Sequence, residues 1–133
     1  MEKQFSKSWI ASKQPRKQRK YRYNLQLHLR HKLVSSHLSK ELRSQYGFRS
    51  LIARVGDKVK VMRGQFKKNV GKIDRINTKT AKAYVTGVES LKKDGSKRLY
   101  PVDASNLLLL ELNLDDKKRL KNKGKTKQIQ NQN

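Results

Sequence analysis

The chain has 133 residues, 34 of them Lys or Arg against 10 Asp or Glu, for a formal net charge of +24 and an isoelectric point near 10.6. That length accommodates one domain with extensions and not two full domains. A free enzyme rarely carries so large an excess of one sign, because like charges repel across a compact fold; a polyanion removes the repulsion, with nucleic acid ahead of an anionic membrane surface.

Hydrophobic residues make up 34% of the chain and charged residues 33%, so part of it cannot bury a core of its own. With no cysteine there is neither a disulfide framework nor a thiolate metal site, and a reducing compartment fits. The longest aliphatic run, Leu107 to Leu110, is far too short to span a bilayer. The N-terminus lacks the apolar core of a secretory signal, and its basic, Ser-containing character suits an RNA-binding extension better than an organellar transit peptide.

Residues 1–32 hold Lys3, Lys7, Lys13, Arg16, Lys17, Arg19, Lys20, Arg22, Arg30 and Lys32 against a single acid, Glu2. From Lys13 to Tyr23 nearly every side chain, Gln14 included, can donate to a phosphate or stack on a base. Pro15 disfavours helix at Gln14, and the expectation is an extended stretch. A solvated tail is the competing reading, but the density of charge favours an arm that orders along folded RNA, with Tyr21 or Tyr23 available for stacking.

His28 and His31 stand three apart, as on one helix face, with His37 beyond. Neither a cysteine nor a pair of carboxylates completes a metal site there, so His31 is read as a stacking or hydrogen-bonding residue and no metal is assigned. Ser39 to Gly47 reads as a short helix. Ser39 is the N-cap, Leu42 and Tyr46 share a face, Gly47 takes the left-handed terminal position, and Arg43 reaches outward.

Residues 54–112 hold 14 Lys or Arg and six acids, and this is the compact part. Ser50–Arg54 and Lys58–Met62 are expected strands, the second with Val59 and Val61 alternating with Lys58 and Lys60. Gly64 to Gly71 is a tight basic turn carrying Lys67 and Lys68, with Arg63 before it, Lys72 after it and the Phe66 ring at its tip. Glycine at both ends lets the backbone bend and lets another backbone come close. Ile73 and Ile76 break strict alternation, which requires a bulge or strong coiling. Lys82–Val88 is a further strand, and Lys93-Asp94-Gly95-Ser96 is a hairpin turn. The return strand through Pro101 is confined to an edge or an end, and Asn106–Leu112 closes the set. Five or six short strands with tight turns fit a small SH3-like barrel, so the fold class is mainly β. Leu114–Leu120 reads as a capped helix with acids leading and bases following, and after Gly124 the chain is a polar, repetitive tail with nothing to build a core.

Gly56-Asp57-x-Val59-x-Val61-x-x-Gly64-x-Phe66-Lys67-x-x-x-Gly71-Lys72-Ile73 resembles the KOW motif of ribosomal and transcription-factor proteins, which implies a small SH3-like barrel that binds RNA. Lys68 stands where that motif usually has a second glycine. The flanks narrow the resemblance. Ser12 to Lys20, Leu27-His28-x-Arg30-His31-Lys32, Leu38-Ser39-x-x-Leu42-Arg43-x-x-Tyr46-Gly47-x-Arg49-Ser50, Asp94-Gly95, Ser105-Asn106 and Leu112-x-Leu114-Asp115-Asp116 resemble the archaeal and eukaryotic form of large-subunit ribosomal protein twenty-four. One loop departs from the family's usual Pro-x-His-Pro-Ser-Asn and reads Pro101-Val102-Asp103-Ala104-Ser105-Asn106.

The resemblance implies a structural constituent of the large ribosomal subunit. Such a protein binds large-subunit rRNA near its 5′ end, helps to initiate assembly and lies close to the polypeptide exit tunnel. By position it implies rRNA contact for Lys13, Arg16, Lys17, Arg19, Lys20, Arg30, Lys32, Arg43, Arg49, Arg63, Lys67 and Lys72. Gln14, Arg22, His31, Gly64, Phe66 and Lys68 join the RNA-binding set on their own chemistry. The expected organisation is a basic RNA-binding extension with a short helix (1–49), the barrel (50–112), and a short helix with a disordered basic-polar tail (113–133). Expected partners are rRNA and neighbouring ribosomal proteins in the cytoplasm, with no cofactor, no membrane and no small-molecule substrate. A KOW-type transcription or assembly factor is the alternative, and residues 1–50 are too basic and too short for the separate partner domain such factors carry. An enzyme is disfavoured by the lack of a Ser/His/Asp order, of paired carboxylates in one segment and of a P-loop.

Overall fold

Alternation at Val59 and Val61 produces the strand it predicts. In a computed structural model, which describes residues 11–120, β3 (Lys58–Val61) places both valines in the core and both lysines on the outer face. Seven strands form one mixed, coiled sheet that makes a small β-barrel-like unit with three short helices. The helices are α1 (Pro15–Asn24), α2 (Leu27–Leu33) and α3 (Lys40–Tyr46). The strands are β1 (Ser35–Leu38), β2 (Ser50–Ile52), β3, β4 (Val70–Asn77), β5 (Lys82–Leu91), β6 (Lys97–Asp103) and β7 (Leu107–Glu111), and they lie in the order β2-β1-β7-β3-β4-β5-β6. Residues 1–10, with Lys3 and Lys7, and the tail 121–133 lie outside the described residues.

The core gathers Val34, Leu38, Leu51, Val59, Val61, Ile73, Val85, Val88, Leu107 and Leu109. Leu107 and Leu109 are fully buried while Leu108 and Leu110 are half-buried, so the leucine run packs chiefly through one face. The register of β4 against β5 shifts between Ile73 and Arg75, the bulge that the Ile73–Ile76 spacing requires. A second shift, between Tyr84 and Glu89, lets β5 continue to Leu91 and pair with β6 beyond it. Pro101 sits on β6, an edge strand, where its missing N–H costs no ladder bond. In α3 the Leu42 amide donates to Ser39 Oγ at 3.3 Å, and Gly47 closes the helix at φ 75°.

Four expectations are corrected. First, 15–24 is helical, because Pro15 occupies the first helical position, where its fixed φ suits the helix and its missing N–H is not needed; Gln14, the N-cap, stays extended. Second, Ser35–Leu38, expected within the basic extension, is a strand between β2 and β7, parallel to the latter. Its polar sequence conceals it: buried Ser36 donates its hydroxyl to the Ala104 carbonyl at 2.7 Å. Third, the basic turn spans 62–69, and Gly71 lies within β4 opposite Val59. Here the close approach is real, since a Cβ on Gly71 would fall 2.2 Å from the Thr86 carbonyl oxygen.

The fourth correction concerns Leu114–Leu120, which forms capped turns and not a helix. The amides of Asp115 and Lys118 bond to the side chains of Asn113 and Asp116, which compete with the helical ladder. Arg119 is drawn inward instead. Its Nη1 and Nη2 each donate at 2.6 Å to the two carboxylate oxygens of Asp57, and both side chains are buried. The same carboxylate accepts from the Arg54 and Asn113 amides at 2.8 Å, and Arg119 also donates to the Ile52 and Asn113 carbonyls. Beside it, the exposed Arg54–Asp116 pair (2.6 Å) holds the Asp116 carboxyl below its usual range through the Arg54 hydrogen bond. That pair's contribution is complete at neutral pH and lost as pH falls through the lowered value.

Arg119→Met strands the Asp57 charge in the core, and the expected loss is on the order of 3–5 kcal/mol in chemical or thermal unfolding. Arg54→Ala, at the exposed pair, is expected to lose far less. Equal losses from the two would show that the buried pair does not lock the C-terminal segment to the sheet.

Candidate nucleic-acid interface

Three structural units carry the residues singled out by sequence. The first is the helical arm. Lys13 and Gln14 precede α1, and Arg16, Lys17, Arg19, Lys20 and Arg22 project from it, all exposed. At 3.6 residues per turn these five cations cover more than half the circumference. Gln18 and half-buried Tyr21 lie on the remaining arc and line a cleft with Leu33 of α2. Arg30, half-buried, donates from Nη2 to the Tyr23 carbonyl at 3.0 Å and ties α2 to the end of α1. Exposed His31 and Lys32 stand in the last turn of α2, where positive charge complements the helix dipole.

The second unit is α3 and the approach to β2. Arg43 is half-buried there and so less outward than expected, whereas Arg49 is exposed. The third is the 62–69 loop between β3 and β4, with Arg63, Gly64, Lys67 and Lys68 exposed and Lys72 exposed two residues into β4. Phe66 is not a free ring at the tip. It is half-buried on the core and packs on Tyr100 of β6, with ring centroids 5.1 Å apart and planes inclined by 52°. This aromatic contact, with the bond from the Lys68 amide to the Val61 carbonyl (2.8 Å), orders the loop before any ligand arrives. Lys68, at the position of the motif's usual glycine, adopts φ 77°. The turn keeps its left-handed residue at a steric cost that glycine would avoid.

Among the described residues the ion pairs are Arg54–Asp116, Lys58–Glu111, Lys82–Asp103, Lys97–Glu89 and Arg119–Asp57. None involves a cation of the candidate set. These pairs lie on the sheet, its connections and its C-terminal strap, while the arm and the loop carry none. A cavity of about 1030 Å³ lies between the end of α2 and β2, and His31, Lys32, Ile52, Ala53 and Arg119 contribute to its wall. No group of His, Cys, Asp or Glu among the described residues has the geometry of a metal site. No helix among them is long and apolar enough to cross a membrane.

Sequence reasoning missed two features. The Phe66–Tyr100 contact joins the 62–69 loop to β6, and no local pattern signals it. Arg75, exposed on β4, lies over the Tyr84 ring of β5, 4.5 Å from its centroid. The irregular Ile73–Ile76 spacing was its signal, since the bulge there sets Arg75 opposite Tyr84.

A small β-barrel-like unit with an ordered basic loop and a cationic helical arm is the architecture that the sequence resemblance implies. The family is shown by comparison: residues 12–123 match the model of the ribosomal proteins known as L26 in eukaryotes and as the L24 type in archaea, and the chain belongs to that family. It is also 45% identical over 108 residues, 81% of this chain and 92% of the relative, to the large ribosomal subunit protein uL24 of Methanosphaera stadtmanae.

Lys68→Gly is expected to raise stability by about 1 kcal/mol by relieving the left-handed lysine. On the RNA-binding role proposed below, the same change removes one phosphate-neutralising charge and should reduce the salt slope of RNA binding by roughly one counterion. Denaturant unfolding and a salt titration of binding measure the two effects, and a less stable Lys68→Gly protein would refute the strain.

Proposed function

We propose that the protein is a structural constituent of the large ribosomal subunit in the cytoplasm, that it binds large-subunit rRNA, and that it acts early in assembly near the polypeptide exit tunnel. The observation that carries the reading is the partition of charge. Every ion pair among the described residues lies on the sheet or its C-terminal strap, and the cations of α1 and of the 62–69 loop are left for an external polyanion. Family membership and the 45% identity to a large-subunit protein support the same reading.

The mechanism is electrostatic and geometric. Each Lys or Arg that meets a phosphate releases condensed counterions. Folded RNA is recognised largely by shape, which a loop fixed by the Phe66–Tyr100 contact can match. The candidate RNA-binding set is that of the arm (Lys13 to Lys32), Arg43, Arg49, the loop residues Arg63 to Lys68, and Lys72. Neighbouring ribosomal proteins are the other partners, and the role is structural and not catalytic.

Lys67→Glu with Lys68→Glu should weaken binding to a large-subunit rRNA fragment and flatten its dependence on salt. Affinity and slope equal to the parent's would remove the loop from the interface. Co-sedimentation with large subunits in high salt separates a subunit constituent from a transcription factor of the same class, which would be left in the supernatant.

A further inference from the structure

The outer face of the β4–β5 pair carries a feature that the basic arm and loop do not need. Arg75, Tyr84 and Pro101 are successive partners across β4, β5 and β6. The Arg75 guanidinium lies over the half-buried Tyr84 ring at 4.5 Å, and Arg75 itself is exposed. Among the described residues the Arg75 side chain makes neither an ion pair nor a hydrogen bond, so its second face and its donors are open. A guanidinium is planar and weakly hydrated, so it can stack on both sides at once. On the same outer face stands Lys72, whose amide bonds to Thr86 Oγ1 at 3.1 Å. Lys72 is three residues from Arg75, a span of roughly 10 Å along a strand.

We infer that this face holds an unpaired nucleotide, its base stacked on the open side of Arg75 and a phosphate held at Lys72. The inference rests on the proposed RNA-binding role and specifies single-stranded RNA as the ligand of this face. Bases in a duplex hide their faces against one another, whereas unpaired bases are taken up on aromatic rings and arginine planes. The Tyr84 ring, covered on one side by the cation, stiffens the platform and orients it toward solvent. The charge of the adjacent loop supplies the backbone contact that a stacking site requires.

The test uses the full-length protein, an unstructured oligoribonucleotide carrying 2-aminopurine, and an RNA duplex of equal length. Arg75→Lys keeps the charge and removes the plane, so it should weaken single-strand binding about tenfold and remove the 2-aminopurine quench. Duplex affinity and both salt slopes should stay as in the parent, and Lys117→Gln, in the C-terminal turns, should leave the quench intact. Photocrosslinking of 4-thiouridine to the peptide bearing Arg75 or Tyr84 reads the site in the unaltered protein. An unchanged quench in Arg75→Lys, or no crosslink to either peptide, would show that the stacked pair only braces the sheet. Duplex binding without single-strand quenching overturns this inference alone, whereas failure of the unaltered protein to bind either RNA overturns the proposed function with it.

Discussion

The fold depends on one buried carboxylate. Asp57 sits at the start of β3 with no exposed surface, and all of its acceptor capacity is used by Arg119, Arg54 and Asn113. These partners belong to the turn after β2, the exit from β7 and the C-terminal strap, so a single side chain sets where three segments meet. A buried ion pair of this kind adds little net stability over an apolar pair of the same volume, because both charges were desolvated to make it. Its effect is on alternatives. Any register that moves Asp57 away from Arg119 leaves a charge in the core, and that penalty is what holds the strap in place.

The same economy of acids shapes the surface. The chain has 10 carboxylates for 34 basic side chains, and the paired ones serve the sheet and its strap. Lys58 and Lys72 face each other across β3 and β4, a repulsive pairing that Glu111 relieves at 2.7 Å from Lys58. Lys82 and Lys97 are likewise matched, to Asp103 and Glu89. The ion pairs that form lie on the sheet and its strap, and none lies on the arm or the 62–69 loop. The folded core and the positive field therefore come from one placement of acids.

Sequence patterns revealed what local physics decides. The β3 alternation, the Ser39 and Gly47 caps, the Asp94-Gly95 turn and the bulge after Ile73 each depend on residues within a few positions of one another. What stayed hidden depends on distant partners. Ser35–Leu38 carries too few apolar residues to look like a strand and becomes one because β2 and β7 flank it and Ala104 receives the Ser36 hydroxyl. Asp57 and Arg119 are separated by 62 residues. Phe66 looked free because Tyr100 lies far along the chain, on β6. In the candidate interface, charge and position could be read, whereas the half-burial of Arg30, Arg43 and Phe66 could not.

Accumulated positive charge is tolerated because of where it sits. Helix α1 has ten residues, no acid in its first turn, no side-chain cap and no buried residue. Arg16 and Lys20, and Arg19 and Arg22, are like charges at helical spacings that each cost about 0.2–0.5 kcal/mol. A helix of that length is marginal in water even without such repulsion. Local contacts hold it, among them the Arg30–Tyr23 bond and the packing of Tyr21 in its cleft beside Leu33. Neither contact is a bond of the ladder from β2 to β6. A polyanion that neutralises the arm removes the repulsion and stabilises the helix, which couples the order of the arm to the presence of its ligand.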